Sequence, residues 1–247
     1  MKEASEIKNY YNEFSKTIFL RDFRIVNARL EAIKKLCDRF VPHGAKVLEI
    51  GCGAGIISKH LQKKVAFLLG LDISETAIKM AQLYVADPNC EFKVYDVTAD
   101  AAELNRYGKF DVILLADVLE HIPLSKQNEL FNKLENLLGP AGIVLITCPS
   151  AEYQEYLKQN KPELLQVVDE TLRLPEILEK TALQPCYFSY VDAGEKNQYL
   201  HLILKMAIDY SPTPRPTSLV HKIRHKIKKV FWQWQNRAFL RKVENVF

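Results

Sequence analysis

Five short β-rich runs, 46–50 (KVLEI), 66–71 (AFLLGL), 91–95 (EFKVY), 109–115 (KFDVILL) and 142–148 (GIVLITC), alternate with stretches whose apolar residues recur at helical spacing, at 55–64, 74–86, about 99–106 and 124–138. Nothing else in the chain narrows its fold as much. Strand and helix in strict alternation form βαβ units, and the strands lie parallel because each helix carries the chain back across the sheet. The segments VILLA and IVLIT are apolar at consecutive positions, as strands covered on both faces must be. A further helical region is expected at roughly 160–181. Two last β-rich runs follow, 185–192 and 197–206, separated only by DAGEK. That turn is too short for a crossover helix, so the pair must be antiparallel. The expectation is an α/β fold: a doubly wound, mostly parallel seven-stranded sheet closed by a C-terminal antiparallel hairpin.

The flanks have a different character. Residues 17–40 place Ile25, Leu30, Ile33 and Leu36 at helical steps and stop near Pro42 and Gly44. This gives an N-terminal helical cap over 1–41, a sheet domain over 42–208, a Pro-rich linker over 209–217 containing SPTPRPT, and a tail over 218–247. In the tail, Val220, Ile223, Ile227, Val230, Phe231, Trp234 and Ala238 form one helical stripe. From Ser211 onward there are nine Lys/Arg against Glu244 alone, while the first 210 residues hold 25 basic and 29 acidic residues. The body is mildly acidic and the tail strongly basic. A basic amphipathic helix bordered by Trp and Phe suits an anionic membrane surface, here through 219–242. Packing against the body or another subunit, and phosphate contacts to RNA, are the other readings of the tail. The acidic body gives nucleic acid little footing, and oligomeric state stays open. Five cysteines, odd in number and without a C-x-x-C pair, and an N-terminus lacking an apolar signal region, point to reduced thiols in a cytoplasmic protein, with peripheral attachment at the inner membrane face an option.

The turn after the first strand, IGCGAG, carries glycines at 51, 53 and 55. In open α/β sheets ligands sit beyond the carboxyl ends of the strands, and glycines there let a ligand approach the backbone closely. Acids mark the neighbouring strand ends: Glu49 before the glycines, Asp72 in LGLDIS, Asp96 in VYDVT, and Asp117 and Glu120 in LLADVLEHI. An acid some 20 residues past the glycines is placed to accept from ribose hydroxyls. A dinucleotide's phosphates want a helix N-terminus with few acids near it, and the spacing departs from G-x-G-x-x-G. An acidic niche suits a cationic, phosphate-free ligand better.

From about 40 to 206 the chain resembles the class I, Rossmann-like S-adenosylmethionine-dependent methyltransferases, through VLEIGCGAG, LDIS, YDV, FDVILLADVLEHI and GPAGIVLITCPS in that order. The DVLEHIP run is most similar to small-molecule O-methyltransferases, including those of quinone biosynthesis. The resemblance implies S-adenosylmethionine as cofactor. It implies that Glu49, Gly51, Cys52, Gly53 and Gly55 line its methionine and ribose side and that Asp72, followed by Ile73, binds the ribose hydroxyls. Asp96 and the backbone of Val97 would face adenine, and Ala116 and Asp117 would flank the methionine.

Methyl transfer to a hydroxyl needs alignment, exclusion of water and a base. His121, just past the fourth strand, is the candidate catalytic base; a structural histidine is the alternative. Asp117, Glu120 and His121 also form a D-x-x-E-H cluster. Adjacent residues there point in different directions, and no further ligand is evident, so no metal is assigned. No N-P-P-Y-like turn follows the fourth strand, which favours oxygen over nitrogen as the acceptor atom. Tyr10, Tyr11 and Phe14, with Tyr153 and Tyr156, are candidates to line a small-molecule or lipid/glycan-linked acceptor. An RNA methyltransferase using the tail, or a cofactor-binding module without turnover, are the competing functions.

Overall fold

The computed structural model describes residues 6–15, 27–99 and 101–206. Helix α1 spans 6–15, and the rest runs α2 (Ala28–Phe40), β1 (Lys46–Ile50), α3 (Ile56–Leu61), β2 (Phe67–Asp72), α4 (Glu75–Tyr84), β3 (Cys90–Val94), a 3-10 stretch (Ala101–Tyr107), β4 (Phe110–Ala116), a 3-10 turn (Leu119–His121), α5 (Leu124–Leu137), β5 (Leu138–Pro149), α6 (Ala151–Asn160), α7 (Leu174–Leu178), β6 (Gln184–Val191) and β7 (Tyr199–Lys205). The chain divides into two units, Met1–Ala207 and Ile208–Phe247. The expected linker and basic tail lie outside the described residues.

One seven-stranded sheet runs in the order β3-β2-β1-β4-β5-β7-β6. β1 to β5 are parallel neighbours, while β7 pairs antiparallel with both β5 and β6. The strand order reverses between β1 and β4, which makes the crevice beyond their carboxyl ends the natural ligand position. The sheet is covered on both sides. Leu30, Ile33 and Leu36 of α2, Ile57 and Leu61 of α3 and Ile78 of α4 pack with Val47, Leu68, Val112, Leu114 and Leu145. Leu130, Phe131, Leu134 and Leu137 of α5 pack with the alternate strand residues Leu48, Leu69, Ile113, Leu115, Val144 and Ile146. Two buried faces explain why these strands are apolar without alternation.

Helix starts follow local chemistry. The Asn27 side chain accepts from the N–H groups of Arg29 and Leu30, Ser74 from that of Ala77, and Ser150 from that of Tyr153, each satisfying donors the helix leaves unpaired. The helical region expected at 160–181 is corrected. Ser150 starts α6 ten residues earlier than the pattern suggested, and Pro162, which has no N–H to give a helix interior, ends it. Residues 165–173 are irregular, and a short helix restarts with Pro175 in its first turn. β5 also begins earlier than its apolar run: Leu138 pairs with Phe110 before a register shift, and the ladder resumes at Ile143. All five cysteines are free thiols. Among the described residues no helix is long and apolar enough to cross a membrane.

Candidate active site

The glycine turn after β1 has left-handed backbone at three positions, Gly51, Gly53 and Gly55. Two are also required by packing. A Cβ on Gly51 would stand 2.3 Å from a Val118 methyl, and one on Gly55 would meet Val85 and Ala81 at 3.0 and 3.2 Å. Gly53 differs: a Cβ there meets nothing within 4 Å. Its bare backbone faces open space at the switch point. Cys52 donates its N–H to Leu71 O at 2.9 Å, accepts the Gly55 N–H at its carbonyl at 2.9 Å and buries its side chain, so it fixes the turn.

Asp72, the last residue of β2, closes onto this turn. Its Oδ2 accepts the Gly53 N–H at 2.9 Å and its Oδ1 the Ser74 N–H at 2.8 Å. Burial pushes the carboxyl above its ordinary value, and N–H groups including that of Ile73 oppose the rise. The Tyr95 N–H donates to Asp72 O at 2.9 Å, which brings the end of β3 alongside. Asp96 Oδ1 accepts from both the N–H and the hydroxyl of Thr98, at 2.8 and 2.7 Å, so this acid shapes its own turn. Val97, half-buried, packs on the α5 side of the core.

Glu49 is only 2 % exposed. The Ser58 hydroxyl of α3 donates to its Oε2 at 2.5 Å. Burial, aided by Asp72 and opposed by Ser58, pushes the carboxyl up to about 7. This acid therefore lies beneath the glycine turn and braces α3.

Beyond β4, Ala116 leads into Asp117, whose φ of 56° is unusual for a residue with a side chain. The conformation is held from both ends. The Asp117 N–H donates to Thr147 O at 2.9 Å, the Thr147 hydroxyl donates to Asp117 Oδ1 at 2.6 Å, and the Arg29 guanidinium pairs with Oδ2. Arg29 went unnoticed in the sequence. Its signal, an arginine in the first turn of a capped helix, reads as a solvent-facing charge. Next comes the 3-10 turn Leu119–His121, pinned from α5 by the Gln127 amide, which donates to Leu119 O and Ile122 O.

Glu120 is 2 % exposed and its Oε2 has no hydrogen-bond partner among the described residues. Burial, then Asp117, holds its carboxyl well above the usual range. His121 Nδ1 lies 2.8 Å from Val168 O and its Nε2 lies 3.9 Å from Glu120 Oε1. Burial lowers the imidazole below its ordinary value. A carbonyl only accepts, so the neutral ring carries its proton on Nδ1 and leaves a lone pair on Nε2.

Helix α1 packs at the start of α4, just past the carboxyl end of β2. Asn12 Oδ1 accepts the Ser74 hydroxyl at 2.9 Å and Lys8 pairs with Glu75 at 2.7 Å. The Tyr11 ring then stands 6.1 Å from that of His121, with Tyr10 and Phe14 packed beside it. The Tyr11 hydroxyl and Gln166 Oε1 are, like Glu120 Oε2, buried without a partner among the described residues. Unpartnered buried polar atoms are few in native proteins and require an occupant or a reason. Tyr153 lies 6.5 Å from Tyr156 and 6.4 Å from Tyr199, ring to ring. Among the described residues no group of three or more His, Cys, Asp and Glu is arranged to hold a metal ion.

Thus the Gly53 backbone and Asp72 meet directly, Gly51 packs against Val118, the neighbour of Asp117, and His121 follows in the same turn after β4, whereas Glu49 and the Cys52 side chain are buried and Asp96 bonds within its own turn. Arg29, Val168 and Asp169 are additions that the sequence did not disclose.

Comparison with known proteins gives the family and the fold. The profile of a family described as a methyltransferase domain matches residues 24–183. The ubiquinone biosynthesis O-methyltransferase of Pseudomonas putida (strain W619) is 30% identical over 114 residues, 46% of this chain and 48% of the relative. That of Albidiferax ferrireducens is 36% identical over 98 residues, 38% and 37% of the two chains. The chain spans about half the length, or less, of these curated relatives. Among solved structures, a magnesium protoporphyrin IX methyltransferase from Synechocystis PCC 6803 with bound SAH superposes with a TM-score of 0.65 at 17% identity, covering 83% of this chain and 100% of its own. A SAM-dependent methyltransferase from Anabaena variabilis gives 0.66 at 16%, covering 84% and 96%. At such identities the structural likeness speaks for the fold.

Proposed function

The chain belongs to the methyltransferase-domain family, and on that premise we propose that it transfers a methyl group from S-adenosylmethionine to a hydroxyl of a small-molecule or lipid/glycan-linked acceptor. The observation that carries this reading is the contact between Gly53 N–H and Asp72 at the switch point. It joins an open, Cβ-free backbone to a carboxylate within one acidic crevice.

The residues suit the cofactor. Asp72 keeps lone pairs for ribose hydroxyls while its backbone donors hold it in place. Ile73, Asp96 and Val97 border the adenine side. Gly51, Gly53 and Ala116 present backbone to the methionyl end, and the Arg29–Asp117 pair offers a cation and an anion to its carboxylate and ammonium. Glu49, Gly55 and Cys52 act from below by fixing the turn. When bound, S-adenosylmethionine supplies an already activated methyl donor, so the protein's tasks are alignment, exclusion of water and removal of one proton. Tyr11 and α1 cover the crevice, and His121 accepts the acceptor's proton at Nε2. Burial keeps the imidazole neutral at neutral pH, the state a base requires.

Calorimetry with S-adenosylmethionine, its demethylated product and a nicotinamide dinucleotide tests the cofactor. Heat with the first two alone supports the reading, and heat with the dinucleotide alone overturns it. Transfer of a labelled methyl group to cell extract fractionated into lipid, small-molecule and RNA pools tests the acceptor. Label confined to RNA would overturn the acceptor class.

A further inference from the structure

Residues 165–173 have no regular secondary structure, yet their bonds converge on two consecutive residues of the turn after β4. Val168 O lies 2.8 Å from His121 Nδ1, and Asp169 Oδ1 lies 3.5 Å from the same nitrogen. The Glu170 N–H donates to Glu120 O at 2.8 Å. The other Asp169 oxygen accepts the Gln166 N–H at 2.6 Å, which fixes the direction of the carboxylate. Tying a loop to the body needs only the Glu170 bond. It does not call for an acid shielded beside a buried imidazole, a placement that costs desolvation.

We propose that Asp169 is a positioning residue which, with the Val168 carbonyl, holds His121 as the Nδ1–H tautomer and presents Nε2 as the proton acceptor. The use made of that lone pair rests on the methyltransferase reading; the tautomer does not. As the acceptor's O–H bond breaks, its proton passes to Nε2 and the oxygen bonds to the methyl group. The S–C bonding pair stays on the departing thioether. The ring then carries two protons and a positive charge, which Asp169 is placed to stabilise without taking a proton itself.

The groups facing His121 come from four elements. Burial, the largest influence, and Arg29 of α2 oppose the charged ring, whereas the Val168 carbonyl, then Asp169 and Asp117, favour it. Glu120 stands beside Nε2, and Tyr11 of α1 covers the ring, with Tyr10 next to it. Removing the Asp169 charge therefore removes support for the charged form, and the titration point of His121 must fall.

The test is a two-bond proton–nitrogen correlation spectrum of the full-length chain carrying ¹⁵N-labelled histidine, recorded across pH with and without S-adenosylhomocysteine. Loss of a signal in His121→Gln assigns the resonance. The expected result is a neutral ring protonated on Nδ1, titrating below the ordinary histidine value. In Asp169→Asn the titration point falls by roughly one pH unit and the Nε2–H tautomer becomes visible; Asp169→Glu restores both. Asp169→Ser provides the charge-free comparison should the Asn variant not fold. A wild-type ring protonated on Nε2 overturns the proposal, as does a charge-free variant with unchanged tautomer and titration point. A protein that shows the locked tautomer but binds no S-adenosylmethionine loses the methyltransferase reading and keeps this one.

Discussion

Gly51 and Gly53 share a left-handed backbone but answer to different demands, and alanine at each separates the two. At either site alanine incurs the conformational penalty of about 1–2 kcal/mol. At Gly51 the new methyl also collides with Val118, 2.3 Å away, so Gly51→Ala should cost more stability than Gly53→Ala by denaturant unfolding. At Gly53 the methyl enters open space beside the carboxylate of Asp72. Gly53→Ala should therefore remain folded while losing at least about tenfold in affinity for S-adenosylmethionine, roughly 1.4 kcal/mol, as read by calorimetry. Equal affinity in Gly53→Ala and the wild type would remove the cofactor from that backbone. Asp72→Asn should weaken cofactor binding in the same assay, since it removes the charge and leaves only one oxygen for the two N–H groups, of Gly53 and Ser74, that now bond to separate oxygens.

At the scale of elements, the strands were legible because a parallel sheet covered on both faces imposes a long-range requirement that appears locally, as consecutive apolar residues in VILLA and IVLIT. The glycines and the acids at strand ends stood out for a related reason: they break the apolar pattern where strands end, the place at which ligands sit in this topology. The segment 165–173 was not legible. Its contacts to His121 and Glu120 run through backbone groups and one carboxylate, and these leave no periodicity. Arg29 was hidden similarly, since its partner Asp117 lies 88 positions away. The early start of α6 was readable in hindsight from Ser150, whose hydroxyl accepts the Tyr153 N–H at 3.2 Å. Ser150→Ala should lower stability by about 1 kcal/mol, the usual worth of such a cap. Because α6 follows directly on β5 at the crevice, the same change should also raise the acceptor KM; an unaltered KM would confine α6 to a structural role.

Across the whole molecule, the buried acids couple folding, pH and ligand. In the folded chain burial pushes Glu49 up to about 7 from its ordinary 4.5, and burial raises Glu120 and Asp72 as well. A carboxyl raised by folding contributes stability that is complete below its unfolded value and is lost as pH rises through its folded value. The ligand-free protein should thus lose stability between about pH 4.5 and pH 7, by on the order of 3 kcal/mol from Glu49 alone. Glu49→Gln should flatten that slope in denaturant titrations at several pH values; an unchanged slope would place the titration elsewhere. A bound cation reverses the balance at the acids that border the crevice, because a positive sulfonium favours ionised Asp72 and Glu120 where burial disfavours them. Binding of S-adenosylmethionine should therefore release protons and tighten as pH rises above the ordinary carboxylate range. S-adenosylhomocysteine, an uncharged thioether at the same atom, should show a shallower dependence. Calorimetry of both ligands in two buffers of different ionisation enthalpy measures the protons directly. Identical proton release for the two would mean that the acids respond to the nucleoside and amino-acid parts common to both, and that the charge on sulfur is not what the crevice recognises.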